Sequence, residues 1–239
     1  MALTVATRRL TPIALAACVW MGLGSAWAQA PRIEPIPRPK ALPVTSTLAR
    51  SLAAWDKEQA QLAKECAKDV AQIKAREKNS PIAVEFNLRY EVLLDSSQIY
   101  TVARLLNIYC GGPYPAFAEN AVVFDLTTGK RYDPLKLYAI SRKGRYGAEF
   151  RPAIRKMIRE ALIAERKPIK KDDDCIPVLQ QDDIQLIEKD TIGLGAQGLH
   201  VMYAGTHVVQ ACYGNVVLPY ERLQKFLNTK EAKRIHWVH

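Results

Sequence analysis

The residues in this chain whose types could do chemistry are its histidines and cysteines. His200 and His207 stand close together in the sequence, and His207 precedes Cys212 by five residues. A cysteine thiolate beside an imidazole can act as a nucleophile, and two imidazoles with a carboxylate can hold a metal ion. Neither pair belongs to a recognisable motif, since no Cys-x-x-Cys or Cys-x-x-His spacing occurs. We therefore predict no catalytic residue, no metal site and no cofactor.

Other signatures of catalysis are weak. Residues Gly193–Gly198 spell Gly-x-Gly-x-x-Gly, but no helix is predicted after them, as a dinucleotide-binding loop requires. No pair of carboxylates stands out for glycoside hydrolysis, which needs a defined separation in space. His236 and His239 lie at the very end of the chain. A non-catalytic role is favoured, and an enzymatic one is left open.

The first 28 residues have the composition of an export signal. Arg8 and Arg9 form a positive segment, residues 10–23 are apolar, and residues 26–28 have the Ala-x-Ala form that signal peptidase cleaves. We predict that residues 1–28 are removed and that the protein is periplasmic or secreted, with no membrane span in the mature chain. The alternative is lipid attachment at Cys18, which follows a Leu-Ala-Ala segment.

Four cysteines remain after this cleavage, and they are Cys66, Cys110, Cys175 and Cys212. An even number of cysteines in an oxidising compartment predicts two disulfides. Three pairings are possible, and counting alone does not choose between them. A zinc site is the alternative, although the pair spacings that zinc sites use are missing.

The chain is basic, with a formal net charge of +10. Loss of Arg8 and Arg9 with the signal lowers the charge of the mature chain to about +8. A basic exported protein is attracted to anionic polymers such as cell-wall glycan, and we predict no nucleic-acid partner. Apolar residues make up 49% of the chain, which favours a folded domain with a sizeable core over global disorder.

Prolines and hydrophobic periodicity divide the chain into segments. Five prolines predict an extended linker over residues 29–44. A spacing of three and four then predicts a helix over residues 45–80. Its predicted apolar face holds Leu48, Leu52, Trp55, Leu62, Cys66, Val70 and Ile73. The period changes to two at residue 81 and predicts a domain over residues 81–230, followed by a tail over residues 231–239.

The predicted domain begins with a β-hairpin, followed by a third strand. The hairpin strands run to Val92 and over Ile99–Tyr109, and the third strand covers Ala121–Leu126. Gly129 lies in the turn that follows, where a positive φ is expected.

A second long helix is predicted over Ala148–Arg166. Arg151, Arg155 and Arg159 lie off its apolar stripe at helical spacing, so they form a basic strip. A basic strip can bind polyanions, although a solvated helix surface is the plainer interpretation. We include the three arginines among the candidate binding residues.

The stretch Gly198–Leu227 is predicted to contain three strands and a helix. Leu199–Tyr203 and His207–Tyr213 have the composition of adjacent strands joined by a turn. A third strand, Val216–Leu218, leads to Pro219, where a helix can start.

This stretch resembles an extracytoplasmic domain of unknown function found in RsiV-like anti-sigma factors, which sense lysozyme, and in PdaC-like cell-wall enzymes. Three segments match in the same chain order, namely the Gly111-Gly112-x-x-Pro115 motif, Phe124–Lys130 and Val217–Leu223. The resemblance covers about residues 82–227. The chain departs from the family at Pro113-Tyr114, where the family often has Ala-His, and around residues 207–213. No partner contact of the family is therefore carried over.

The resemblance implies an α+β domain, with an antiparallel sheet and helices packed on one side. It also implies that Cys66 pairs with Cys110 and that Cys175 pairs with Cys212. It favours a non-catalytic binding module for peptidoglycan or for a wall-acting protein such as lysozyme. A cell-wall hydrolase or deacetylase accessory and an envelope structural or assembly factor are the alternatives. The candidate binding residues are His200, Tyr203, His207, Tyr213, Tyr114, Arg151, Arg155 and Arg159.

Overall fold

The computed structural model describes residues 31–40, 45–77, 84–111, 115–145, 147–166, 175–180, 190–202, 212 and 214–237. The predicted signal peptide, residues 1–28, and the alternative lipid site at Cys18 lie outside these residues. Within the described residues, no helix is long and apolar enough to cross a membrane.

A five-stranded sheet forms one layer of the fold. Its strands, in spatial order, are β1 (Arg32–Ile33), β2 (Glu85–Asp95), β3 (Ile99–Tyr109), β4 (Ala116–Asp125) and β5 (Lys130–Tyr132). Strands β2 to β5 form an antiparallel meander, and β1 pairs with β2 in parallel. The serine turn before β3 is closed by the Ser96 hydroxyl, which accepts from the Ile99 amide at 2.9 Å. The predicted bounds of β3 are confirmed.

Helix α1 (Ser46–Arg76) packs on one face of this sheet. It begins after Thr45, whose hydroxyl accepts from the Leu48 amide at 3.2 Å. Its buried residues are Leu48, Leu52, Trp55, Gln59, Ala63, Cys66 and Val70. Leu62, predicted to lie on this face, is 37% exposed. Gln59 is buried instead because its side-chain oxygen accepts from Arg104 of β3 at 2.7 Å.

A three-stranded antiparallel sheet and a second long helix form the other layers. The sheet has β9 (Gly198–Val201) at its centre, with β8 (Ile192–Leu194) and β10 (Val216–Pro219) at its edges. Helix α2 (Pro152–Arg166) packs against this sheet through Ile154, Met157, Ile158 and Leu162.

Helix α2 starts later than the sequence predicts. Ala148–Phe150 is not its first turn but strand β7, which pairs with β6 (Ser141–Lys143). The helix starts at Pro152, because the fixed φ of proline suits the first helical turn and its missing N–H is not needed there.

The remaining helices are short. They are α3 (Cys175–Gln180), α4 (Tyr220–Leu223) and α5 (Thr229–Arg234), with 3-10 turns at Pro134–Lys136 and Gln224–Phe226. Strand β10 runs directly into α4 at Pro219, as the sequence predicts. The α+β class with antiparallel sheets is confirmed, and the five-stranded and three-stranded sheets each carry one long helix on one side.

The two sheets approach each other closely at Gly193 of β8. A Cβ atom at this position would lie 2.8 Å from the Cβ atom of Ala121 and 3.1 Å from Leu93. Met202 follows β9 and packs with Leu93, Ala103 and Ala121 on the sheet face opposite α1. The glycine is required here because any larger residue would push the sheets apart.

Two segments that are predicted to lie outside the domain are packed onto it. Residues 31–40, here called the N-terminal strap, run along the β2 edge, and Ile36 is buried against the α1 side of the sheet. At the other end, Ala232 and Ile235 lie in the main core, and the Trp237 indole donates to the Tyr138 hydroxyl at 3.2 Å. The strap is extended, as its prolines predict, but it is not a detached spacer.

Both disulfides have the pairing that the resemblance implies. Cys66 of α1 is bonded to Cys110 after β3, and Cys175 of α3 is bonded to Cys212. On the chain-entropy model, each bond that closes a loop of this length stabilises the fold by about 4 kcal/mol.

Gly129, in the turn between β4 and β5, lies against the start of α1. Its φ is +67°, and a Cβ atom there would lie 2.7 Å from the Leu48 backbone nitrogen. We expect Gly129→Ala to lower the free energy of unfolding by about 1–3 kcal/mol, measured by urea denaturation. Gly214→Ala is the matched control, because a Cβ atom there meets nothing within 4 Å, and equal losses in both variants would contradict this account.

Candidate binding site

A concave surface of the described residues lies on the five-stranded sheet, on the face opposite α1. The three-stranded sheet covers the face opposite α1 around Leu93, Ala103 and Ala121. Ile99 and Val123 of the same face share a core with Ile192 and Leu194. Further along the strands, the same face encloses a groove of about 500 Å³. This surface, the open face, consists of Arg32, Asn87, Asn107, Phe117, Arg89, Leu105 and Glu119.

Strand register arranges these side chains in two rows. Arg32, Asn87, Asn107 and Phe117 are direct cross-strand partners on β1, β2, β3 and β4. Arg89, Leu105 and Glu119 form the next row on β2 to β4. Because side chains directly opposite each other share a face of the sheet, each row is a ladder across the groove.

The first row places two amides between a cation and an aromatic ring. The Asn107 side-chain amide donates to Glu85 at 2.9 Å, while its buried Oδ1 atom has no hydrogen-bond partner among the described residues. The Phe117 ring is 51% exposed at one end of the row, and the Arg32 side chain is 74% exposed at the other. The row therefore offers an unsatisfied acceptor, a cation and an apolar ring to a ligand.

The charges around the open face are mixed. Arg32 and Arg89 are accompanied by carboxylates at Glu85, Glu91 and Glu119. Burial raises the pKa of Glu119, and the neighbouring Glu91 carboxylate raises it further. The face thus does not share the strong positive charge of the whole chain.

His200 lies on β9, near enough to Glu91 of β2 to be influenced by its charge. Its Nδ1 atom is 3.2 Å from the Asn215 side-chain nitrogen, and its ring fills the space beside Gly195, where a Cβ atom would lie 2.3 Å from Nε2. Burial lowers the pKa of His200, against the opposing effects of Asn215 and Glu91. Glu91 therefore lies near enough to influence both His200 and Glu119.

The basic strip of α2 lies elsewhere. Arg151 is exposed, and its Nε atom donates to the Ser141 carbonyl at 3.2 Å. Arg155 and Arg159 are half-buried. Helix α2 packs on the three-stranded sheet with Leu199 and Val201, whereas His200 points to the opposite face of β9. The structure therefore does not bring His200 and the three arginines together.

Four predicted binding residues lie outside the described residues, namely Tyr114, Tyr203, His207 and Tyr213. The predicted strand His207–Tyr213 falls there as well, and both edges of β9 are occupied by β8 and β10. Cys212 is disulfide-bonded, so the His207–Cys212 pair has no free thiol to act as a nucleophile. Among the described residues, no group of three or more His, Cys, Asp or Glu side chains could hold a metal ion.

The Gly-x-Gly-x-x-Gly run is a β-hairpin turn. The Gly195 amide donates to the Gly198 carbonyl at 2.9 Å, and the buried Tyr220 hydroxyl donates to the Gly195 carbonyl at 2.8 Å. These groups connect β8 to β9, so the run does not lead into a helix N-terminus that could bind phosphate.

A second cleft, of about 340 Å³, lies at the edge formed by β4 and β5. Two of its charged residues hold structural contacts: Arg131 is paired with Glu58 at 2.9 Å, and Asp133 accepts from the Leu135 amide at 3.0 Å. These groups are less available to a ligand than those of the open face.

Asn87, Asn107, Phe117 and the strap residue Arg32 are absent from the sequence-based candidates. The period-two alternation places Asn87 and Arg89 on one face of their strand, but it does not indicate which half of that face a second sheet covers. Arg32 lies in the segment predicted to be a linker, so its place beside Asn87 was not expected.

Comparison with known proteins places few limits on the function. No protein-family model and no curated protein matches the chain. Among solved structures, it is similar to a member of the DUF3298 family (BF2082) from Bacteroides fragilis, with 16% identity and a TM-score of 0.48 over 72% of this chain and 68% of that one. This similarity assigns neither a ligand nor an activity, and the resemblance to RsiV-like and PdaC-like domains stays a prediction.

The buried environment of His200 predicts a pH dependence of stability. Because its folded pKa is lowered from 6.5, the unfolded chain binds the proton more readily, and stability falls as the pH drops below about 6.5. We expect His200→Gln to reduce this loss between pH 7 and pH 5 in urea denaturation. The exposed His236→Asn is the control, and an unchanged pH slope in His200→Gln would contradict the assignment.

Glu119 predicts the opposite trend. Its folded pKa is raised, so the charged form destabilises the fold above that pKa, and the cost disappears below the unfolded pKa of about 4.3. We expect Glu119→Gln to raise the melting temperature at pH 7 but not at pH 3. Glu65→Gln, on the exposed side of α1, should give no gain at either pH, and a pH-independent gain in Glu119→Gln would argue against this explanation.

Proposed function

We propose that the chain is an exported, non-catalytic binding module of the cell envelope, and that its open face binds the N-acetylated amino-sugar glycan of peptidoglycan. The observation that carries the proposal is the row Arg32–Asn87–Asn107–Phe117, in which two side-chain amides stand between a guanidinium and a half-exposed ring. The predicted export signal and the two disulfides support an envelope location.

The chemistry of the row suits an amino sugar. Asparagine amides can both donate to and accept from an acetamido group, and no described residue donates to the buried Asn107 Oδ1 atom. Arginine N–H groups and carboxylates complement sugar hydroxyls, which both accept and donate. The exposed Phe117 ring provides a flat apolar surface for the C–H face of a pyranose.

The dimensions of the row suit a chain of sugars. Three strand-to-strand steps span about 14 Å from Arg32 to Phe117, since neighbouring strands are about 4.8 Å apart. This length accommodates an oligosaccharide better than a single small molecule, and the groove of about 500 Å³ is open at its surface.

Local charge favours a hydroxyl-rich ligand over a simple polyanion. The carboxylates Glu85, Glu91 and Glu119 offset Arg32 and Arg89, so a polyanion would meet repulsion at the open face. The net charge of about +8 that is expected for the exported chain can still draw the protein toward an anionic wall at long range. Specific retention should therefore depend less on salt than this net charge suggests.

A wall-acting protein such as lysozyme is the second candidate ligand. The same three carboxylates would complement a basic protein surface, which is the observation in favour of this partner. A role as a cell-wall hydrolase or deacetylase accessory has less support, because Cys212 is held in a disulfide and His200 is paired with an amide.

The test is co-sedimentation of the oxidised protein with purified sacculi across a salt series. We expect retention to persist at moderate salt and to weaken about tenfold in Phe117→Ala and in Asn107→Ala, a loss of about 1.4 kcal/mol for each. Val92→Ala removes a similarly exposed apolar side chain from the opposite face of the same sheet, and it should bind normally.

Two outcomes would count against the glycan. Retention that disappears steeply with salt, equally in all variants, would indicate non-specific attraction to a polyanion. Absence of retention even at low salt would remove the glycan and direct the same variants to a binding assay with lysozyme.

A further inference from the structure

One member of the binding row does not belong to the meander that forms the rest of it. Arg32 lies on the N-terminal strap and reaches the row only because β1 pairs with Asn87 and Leu88 of β2. Its side chain is 3.8 Å from Glu34 of the same strap and is otherwise largely exposed. The first row is therefore complete only while the strap is docked.

A few specific contacts hold the strap on the domain. The Glu34 amide donates to the Leu88 carbonyl at 3.0 Å, and the Tyr100 hydroxyl donates to the Pro37 carbonyl at 2.6 Å. Ile36 is 8% exposed in the cluster that includes Trp55 and Tyr100, and the Lys40 amide donates to Asp95 at 2.8 Å.

These contacts cannot extend into a longer strand pair. Prolines at positions 35, 37 and 39 have no N–H group to donate to the β2 edge. A short segment held by a handful of contacts opens at lower free energy than the core strands beneath it. The docked and released strap thus form a local equilibrium that does not require unfolding of the domain.

We propose that the N-terminal strap is part of the binding site: Arg32 is a specificity-determining residue, and strap docking and glycan binding are thermodynamically linked. The inference rests on the proposed function of the open face. A ligand that contacts Arg32 binds the docked state more tightly, so by reciprocity it holds the strap in place. Release of the strap weakens binding, because the apparent affinity is the affinity of the docked state multiplied by the fraction of molecules that are docked.

The strap side of this linkage can be followed at the Glu34 amide. Hydrogen exchange at this N–H reports opening of β1, because its only described acceptor is the Leu88 carbonyl. We expect soluble peptidoglycan fragments, released from sacculi by a muramidase, to slow this exchange several-fold in the exported chain. Amides in the middle of β3 serve as the internal reference, since they open only with the domain.

The affinity side needs variants that loosen the strap without touching the open face. Ile36→Ala combined with Tyr100→Phe weakens strap docking from the α1 side of the sheet. We expect this double variant to bind the fragments two- to tenfold more weakly, and never more weakly than Arg32→Ala. Tyr132→Phe is the matched control, because it removes a buried phenol hydrogen bond, to Glu231 at 3.1 Å, far from the strap.

Combination of the variants distinguishes linkage from general weakening. In an Arg32→Ala background, loosening the strap should cause no further loss of affinity, because the residue that the strap supplies is already missing. Binding of wild-type strength in Arg32→Ala, unchanged Glu34 exchange with bound fragments, or fully additive losses would each overturn the inference while the proposed function stands. If the wild-type chain binds neither sacculi nor fragments, both the inference and the proposed function fail.

Discussion

The close contact between the two sheets at Gly193 is the constraint on which the rest of the structure depends. Ala121 and Leu93 can approach β8 only because position 193 has no side chain. This contact lets Met202 pack onto Ala103 and Ala121, which covers that part of the sheet face. The sheets also share a core at Ile99 and Val123 with Ile192, whereas the sheet face around Asn87, Asn107 and Phe117 lines an open groove.

The opposite side of the five-stranded sheet makes the open face rigid. Helix α1 spans the strands that carry the binding row, and the Cys66–Cys110 bond ties the helix to the end of β3. Between the apolar halves of the helix, Arg104 donates to Gln59 at 2.7 Å and also to Asn120. Burial lowers the pKa of Arg104, and breaking this polar layer would leave a buried charge unsatisfied. A face backed in this way can hold two asparagine amides in fixed positions, which is what selective recognition of a polar ligand needs.

Local patterns predicted the elements well and the site poorly, for one physical reason. The bounds of β3, the helical face around Trp55 and the turn at Gly129 depend on neighbours in sequence, so periodicity and turn chemistry were sufficient. The disulfide pairing needed a resemblance to another domain, because counting cysteines leaves three possibilities. The open face depends on which half of one sheet a distant sheet covers, and that is decided by Gly193 and Ala121, far apart in the chain. Gln59 escaped detection in the same way, since its burial depends on Arg104 of a different element.

The strap shows how composition and structure can support different conclusions about one segment. Its prolines exclude a regular ladder of strand hydrogen bonds and predict an extended chain. A spacer that does not contact the domain is also extended and has no such ladder. The strap differs from a flexible spacer in its hydrogen bonds to the domain. The Tyr100 hydroxyl donates to the Pro37 carbonyl, and the Glu34 amide donates to the Leu88 carbonyl. The Leu88 carbonyl belongs to β2, the edge strand of the meander, so the strap occupies an edge that would otherwise be open to pairing with another chain. Protection of the edge and completion of the binding row therefore follow from a single docking event, and selection for either one would preserve the other.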